Sequence, residues 1–224
     1  MLRNVVITGG TGFLGNATVN KFIEQGDQVI VLDIREAQSD NENLVYYKVD
    51  LLDEKELSEI ANKIEEEFGP TDVLINIAGG FDMSSIKDTS FEQIDKMFSL
   101  NLKSAFNTSK VFLNQLEKSQ NGRIINIGAR AGLSGVGGMI PYSISKASVI
   151  SFTQGLSDEL KHTDITVNAI VPSTIDTQAN RDAMPDADFS NWVSPESLAN
   201  VISFISSEEA SSIRGAIIPV YNKS

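Results

Sequence analysis

The chain has no cysteine, and His162 is the only histidine among its 224 residues. The first absence excludes disulfides, thiolate nucleophiles and cysteine-ligated zinc. The second excludes metal sites built from several imidazoles and leaves His162 as the sole candidate base for a Ser-His-Asp arrangement. His162 follows Lys161 near an expected helix end, where an exposed capping role suits it better. Cations are scarce: 18 Lys and Arg stand against 30 Asp and Glu, for a net charge of −12. Such a surface repels phosphate backbones and argues against nucleic acid as a partner. No apolar run reaches the roughly 20 residues needed to cross a bilayer. The first residues, MLRNVVITGG, read as the start of a strand and not as a leader peptide. The resulting expectations are no membrane partner and a cytoplasmic location. Internal repeats and low-complexity segments are missing too, while 41% hydrophobic and 21% charged residues suit a globular chain with a sizeable core.

What is present is an alternation of short apolar runs with amphipathic stretches. Strands are expected at Leu2–Thr8, Gln28–Asp33, Leu44–Val49, Asp72–Ile77, Arg123–Ile127, Ile165–Val171 and Ala216–Val220. Helices are expected from about Phe13 to Gln25, before Gly69-Pro70, from Phe91 to Glu117 with a break near Asn101, over Tyr142–His162 and over Pro195–Ser206. The clearest carries Leu57, Ile60, Ala61, Ile64 and Phe68 on one face, opened by a capping-box-like Asp53 and Glu56. Strands separated by helices imply right-handed crossovers and a parallel sheet covered on both faces. The expected fold is a single-domain α/β, Rossmann-type doubly wound sheet of about seven strands spanning residues 1–224. A long polar loop at about 172–195 is a natural place for substrate contacts.

Thr8-Gly9-Gly10-Thr11-Gly12-Phe13-Leu14-Gly15 lies between the first strand and the first helix. Gly9 and Gly12 permit a tight turn and close approach of a pyrophosphate to the free N–H groups of the helix start. Gly15, one turn into the helix, allows close packing on the sheet. Asp33 ends the second strand, 18 residues after Gly15. A carboxylate there suits the two adenosine ribose hydroxyls and repels a 2′-phosphate, which favours NAD(H). Arg35 close by leaves NADP(H) open.

Pro141-Tyr142-Ser143-Ile144-Ser145-Lys146 opens a helix after the fifth strand. Tyr142 and Lys146, four residues apart, share one face. A free phenol has a pKa near about 10 and is a reluctant proton shuttle at neutral pH. A neighbouring ammonium is expected to lower it, so that the pair can give or take a proton as hydride is transferred.

Together these residues resemble the short-chain dehydrogenase/reductase family over essentially the whole chain. The likeness includes the glycine turn, Asp50-Leu51, Asn76-Ile77-Ala78-Gly79, Asn101, the Tyr142/Lys146 pair, and Val167-Asn168-Ala169-Ile170-Val171-Pro172 running on to Thr177. The resemblance implies a cofactor site made by Gly9, Thr11, Gly12, Phe13, Leu14, Gly15, Asp33, Asp50, Leu51, Asn76, Ala78, Gly79, Pro172, Ile175 and Thr177, shared by Tyr142 and Lys146. It implies Tyr142 as acid/base, Lys146 on the nicotinamide ribose, and Asn101 holding a water in a proton relay. It also implies a small-molecule substrate and a homodimer or homotetramer built on the helices around 102–118 and 143–161.

Three departures stand out. The glycine spacing is TGxxGxxG, the family's extended form, in a short chain. Ser173 replaces a common glycine. Most important, Ala129 occupies the place of the family's catalytic serine, 13 residues before Tyr142. Losing one such donor typically costs about 10²–10³ in rate. Ser134 is the nearest substitute. The dihydropteridine reductases also lack this serine, and Asp176–Arg181, Met184–Trp192 and Ala78-Gly79-Gly80-Phe81 resemble that subgroup. A quinonoid dihydropterin develops less charge on a carbonyl oxygen and needs the serine less. Alternatives that remain open are a ketone reductase or alcohol dehydrogenase, such as a 3-oxoacyl reductase, and a non-catalytic NAD(H)-sensing protein. Trp192 either lines a pocket or packs the loop. Phe81, Met184 and Phe189 are expected to pack.

Overall fold

The computed structural model describes residues 2–224. Seven strands form one parallel sheet: β1 Asn4–Thr8, β2 Gln28–Asp33, β3 Leu44–Lys48, β4 Val73–Asn76, β5 Arg123–Ile127, β6 Thr166–Pro172 and β7 Ile217–Val220, in the order β3-β2-β1-β4-β5-β6-β7. The central strands are apolar throughout, because helices cover both faces. On one face, α1 (Phe13–Glu24) and α8 (Pro195–Ile205) bury Val19, Phe22, Leu198 and Ile202 against Val5, Ile7 and Val31. On the other, α2 (Glu54–Phe68) and α4 (Ser104–Lys118) bury Leu57, Ile64, Phe112 and Leu116 against Val6, Leu74 and Ile124. Chain order reverses between β1 and β4, which opens a crevice at the carboxyl ends of the strands.

The expected strands and long helices all occur, with ends shifted by a few residues. β1 starts at Asn4, where pairing with Gln28 begins and the Asp72 carboxylate accepts the Asn4 N–H at 2.8 Å. Asp53 caps α2 through the N–H groups of Lys55 and Glu56, both at 3.0 Å. Glu56 completes no reciprocal box: it accepts the Asp50 N–H at 3.1 Å. The break expected near Asn101 is a π-helical turn, Ser99–Lys103, inserted between α3 (Phe91–Phe98) and α4. α5 (Arg130–Ser134) was not expected; at five residues it is too short for periodicity to reveal. α6 (Ile140–Glu159) starts with Pro141 in its first turn, where the missing N–H costs nothing. The 172–195 segment holds α7 (Gln178–Ala183) and a 3₁₀ turn, Phe189–Asn191. His162 is exposed just beyond α6.

Candidate active site

A cleft of about 1250 Å³ runs along the carboxyl ends of the strands. Its first wall is the glycine turn. Gly9 has φ of 69°, a conformation that favours glycine, and a methyl group there would lie 2.9 Å from the Ala78 backbone. A methyl on Gly15 would lie 2.1 Å from the Gly9 carbonyl oxygen, so helix and turn touch backbone to backbone. No side chain caps α1, and Gly12, Phe13, Leu14 and Gly15 at its start line the cleft.

Asp33 is buried at the end of β2. Its Oδ2 accepts the Thr11 hydroxyl at 2.6 Å and the Thr11 N–H at 3.1 Å, and its Oδ1 accepts the Arg35 N–H at 3.0 Å. Burial works to raise its pKa, but the Thr11 hydroxyl, the two backbone N–H groups and the Arg35 guanidinium together hold it below the usual carboxylate range. Asp33 is therefore ionised at neutral pH, with the exposed Arg35 Nε 3.5 Å from Oδ1.

Of the expected cofactor residues, all but Thr11 and Asn76 line the cleft. Thr11 is turned onto Asp33. Asn76 is buried behind the wall: it accepts from Thr108 Oγ1 at 2.6 Å and donates to Asn126 Oδ1 at 2.8 Å and Ser109 Oγ at 3.2 Å. Thr8 Oγ1 accepts the N–H groups of Ile77 and Ala78, each at 3.1 Å, and so ties the ends of β1 and β4 together. Sequence alone pointed to neither support.

Asn101 sits on the π-turn, a distortion common at functional sites. It brackets Gly80, accepting its N–H at 3.0 Å and donating to its carbonyl at 3.1 Å, and donates to Ser145 Oγ at 3.0 Å. Its amide thus fixes the Gly79-Gly80 wall beside Lys146. A methyl on Gly79 would come within 2.6 Å of Asn101 Oδ1 and 3.5 Å of Lys146 Nζ.

Tyr142 and Lys146 share the cleft face of α6, with Lys146 Nζ donating to the Ile127 carbonyl at 2.8 Å. In the cofactor-free protein, burial pushes Tyr142 up to about 12 and Lys146 down to about 8. Desolvation sets the direction of the phenol's shift, and the lowering by the ammonium, expected from the sequence, does not occur. Tyr142 consequently holds its proton at neutral pH and can only give it up as charge develops on an acceptor. Phe81 packs edge-on against its ring, centroids 4.9 Å apart.

Lys146 also yields a stability prediction. Its folded pKa lies below the unfolded value, so between about 8 and 10.5 the unfolded chain binds a proton that the folded chain does not. Stability from this group rises with pH across that window. Lys146→Met removes the contribution. The stability difference between wild type and variant, measured by urea unfolding of cofactor-free protein from pH 7.5 to 10, is expected to climb by roughly 1 kcal/mol per pH unit. A flat difference would contradict it.

Near Tyr142, the cleft is lined by Ala129, Ser134, Val136, Met139, Phe81, Met83 and Met184. Ala129 is buried and offers no donor. Phe81 and Met184 are 57% and 41% exposed, so they face the cleft and do not pack as expected. Trp192 is buried at 8%, against Phe189, and lies outside the lining. Arg130, missed by sequence reasoning, also lines this end. The adjacent loop is pinned by the Asp176–Arg181 pair at 2.6 and 2.7 Å and by Asn180 donating to the Ile175 carbonyl at 2.8 Å.

Comparison with known proteins matches residues 3–188 to the short chain dehydrogenase family. The chain belongs to that family. It is 30% identical to a 3-oxoacyl-[acyl-carrier-protein] reductase, FabG, of Thermotoga maritima, over 96% of this chain and 94% of that protein. It is also 30% identical to a 3α-hydroxysteroid dehydrogenase of Mediterraneibacter gnavus, over 98% and 96%. A solved structure of ElxO with NADP bound superposes with a TM-score of 0.91 at 28% identity, covering 98% of this chain and 97% of that one. This short-chain dehydrogenase is accordingly an NAD(P)-dependent oxidoreductase. No described helix is long and apolar enough to cross a membrane.

Proposed function

We propose that this short-chain dehydrogenase reduces a small, flat, conjugated acceptor of the quinonoid dihydropterin type, with NADH as the preferred cofactor. The observation that carries this reading is Ala129. The buried methyl at position 129, in the cleft that Tyr142 also lines, offers no hydroxyl to polarise a ketone oxygen, while the phenol keeps its proton for an acceptor that is readily reduced. The bound nicotinamide supplies the hydride. Tyr142 supplies the proton from its O–H to the atom that gains charge. Lys146 holds the nicotinamide ribose, and its charge tunes Tyr142. Asn101 keeps the Gly79-Gly80 wall in place and holds the relay water. Thr11 and Asn76 support the cofactor groove from behind. Phe81 and the methionines give the acceptor an apolar seat.

The ionised Asp33 supports the preference for NADH, since it accepts ribose hydroxyls and repels a 2′-phosphate. Arg35 moderates that repulsion.

The names of the relatives favour a second reading, 3-oxoacyl or other ketone reduction, and Ser134 lines the same cleft. Ala129→Ser separates the two. If the missing hydroxyl limits ketone chemistry, the variant gains about 10²-fold in kcat/KM for ketones and little for the pterin. If Ser134 already does this work, Ala129→Ser gains nothing and Ser134→Ala is the damaging change.

A homodimer across α4 and α6 completes the proposal. Phe106, 49% exposed, packs against Phe152 with centroids 5.6 Å apart and the rings tilted at 50°, in a hollow also lined by Leu102 and Ser148. Phe106→Glu is expected to halve the mass seen by light scattering; an unchanged mass would place the interface elsewhere.

A further inference from the structure

We infer that Arg130 is a specificity residue: it binds an oxyanion carried by the substrate, so that the acceptor is flat, conjugated and anionic. Four observations carry this. Arg130 directly follows Ala129 and lines the same cleft as Tyr142. Among the described residues its guanidinium pairs with no carboxylate within 4.0 Å, in a protein with 30 acidic side chains. Of the side-chain carboxylates that line the cleft, Asp33 ends β2 and Asp50 follows β3, both at the adenosine end, and the main-chain carboxylate of Ser224, which also lines it, makes no ion pair with the guanidinium within 4.0 Å. Around the reacting end the lining side chains are otherwise apolar or neutral, with Lys146 already donating to the Ile127 carbonyl.

The guanidinium is also held in place. It lies over the Tyr221 ring, with Cζ 5.5 Å from the centroid. Stacking on an aromatic face leaves the N–H edge of an arginine free for a planar oxyanion. The residue carrying that ring is itself anchored, because Ser173 Oγ donates to the Tyr221 carbonyl at 2.9 Å. Ser173 thereby acquires a role: it ties the segment after β7, which bears the Tyr221 platform, to the end of β6. A carboxylate, sulfonate or phosphate substituent would meet the N–H edge of the guanidinium at the cleft wall, where charge-assisted bonds are selective. Neutral acceptors of the same shape would leave the cation without a partner. The arginine thus replaces the lost neutral donor at 129 by an anchor that selects substrates instead of polarising them.

Only the flat shape of the acceptor rests on the reduction proposed above, and the test keeps the two apart. Isatin and isatin-5-sulfonate have the same conjugated ring and differ by one oxyanion. Their binding to protein loaded with NAD⁺, where neither is reduced, is measured by calorimetry for wild type and Arg130→Gln. Arg130 is exposed, so the variant is expected to fold normally. Wild type should bind the sulfonate about tenfold more tightly, equivalent to ~1.4 kcal/mol. Arg130→Gln should erase the preference and leave isatin and NADH affinities unchanged. Equal binding of both probes by wild type overturns the assignment, as does a preference that survives in Arg130→Gln. Loss of NADH affinity in the variant also overturns it, by placing the guanidinium on a cofactor phosphate. Turnover with NADH is scored separately: failure to reduce either probe counts against the conjugated acceptor and not against the arginine.

Discussion

Tyr142→Phe is expected to lower kcat/KM by about 10²–10⁴ while leaving the affinity for NADH unchanged, the loss typical of a missing general acid. The substitution removes one oxygen and keeps the ring that packs edge-on against Phe81. Packing is therefore preserved, and the effect reads the proton alone. The neighbouring polar groups are largely committed. Ser173 Oγ is committed to the Tyr221 carbonyl, Lys146 Nζ to the Ile127 carbonyl, and position 129 is a methyl group. A phenol raised to about 12 by burial stays protonated at neutral pH and gives its proton only as charge develops on the acceptor, which suits the reducing direction. The variant should show a falling kcat with intact nucleotide binding in a fluorescence titration. Full activity would remove Tyr142 from the chemistry.

Gly15→Ala is expected to weaken NADH binding by ~10- to 100-fold. At an open helical position, glycine to alanine stabilises by roughly 0.5–1 kcal/mol. Here the added methyl would sit 2.1 Å from the Gly9 carbonyl oxygen and 2.7 Å from Gly10 Cα, both backbone atoms that cannot rotate aside. Such overpacking costs about 1–3 kcal/mol and is relieved only by moving α1 off the turn. That displacement pulls the helix N–H groups away from the pyrophosphate. Unchanged affinity, with the circular dichroism of a folded protein, would show that the turn does not hold the cofactor.

The fold was legible because the strands are buried on both faces and read as apolar runs between amphipathic helices, as in Val5-Val6-Ile7 and Val29-Ile30-Val31-Leu32. Glycines with a backbone reason, such as Gly9 and Gly15, could be read the same way. What sequence missed depends on contacts distant in the chain. Asn76 looked like a groove residue, yet its amide is consumed by Thr108, Ser109 and Asn126 on neighbouring elements. Phe81 and Met184 were expected to be packed away, because nothing in an apolar side chain's identity says that it will line a cleft. Arg130 sits in a five-residue helix, and its significance lies in the absence of a partner, which spacing cannot reveal. The direction of the Tyr142 shift was misread for a related reason: proximity of an ammonium is visible in the sequence, and the depth of burial is not.

The most direct test of the central claim follows NADH absorbance with quinonoid dihydropterin, simple ketones and a 3-oxoacyl thioester side by side, repeated with NADPH. With Ala129 in place of a hydroxyl donor, the pterin should exceed every ketone in kcat/KM by at least ~10², with NADH the better cofactor. Ketone or 3-oxoacyl turnover equal to or faster than that of the pterin would contradict the account.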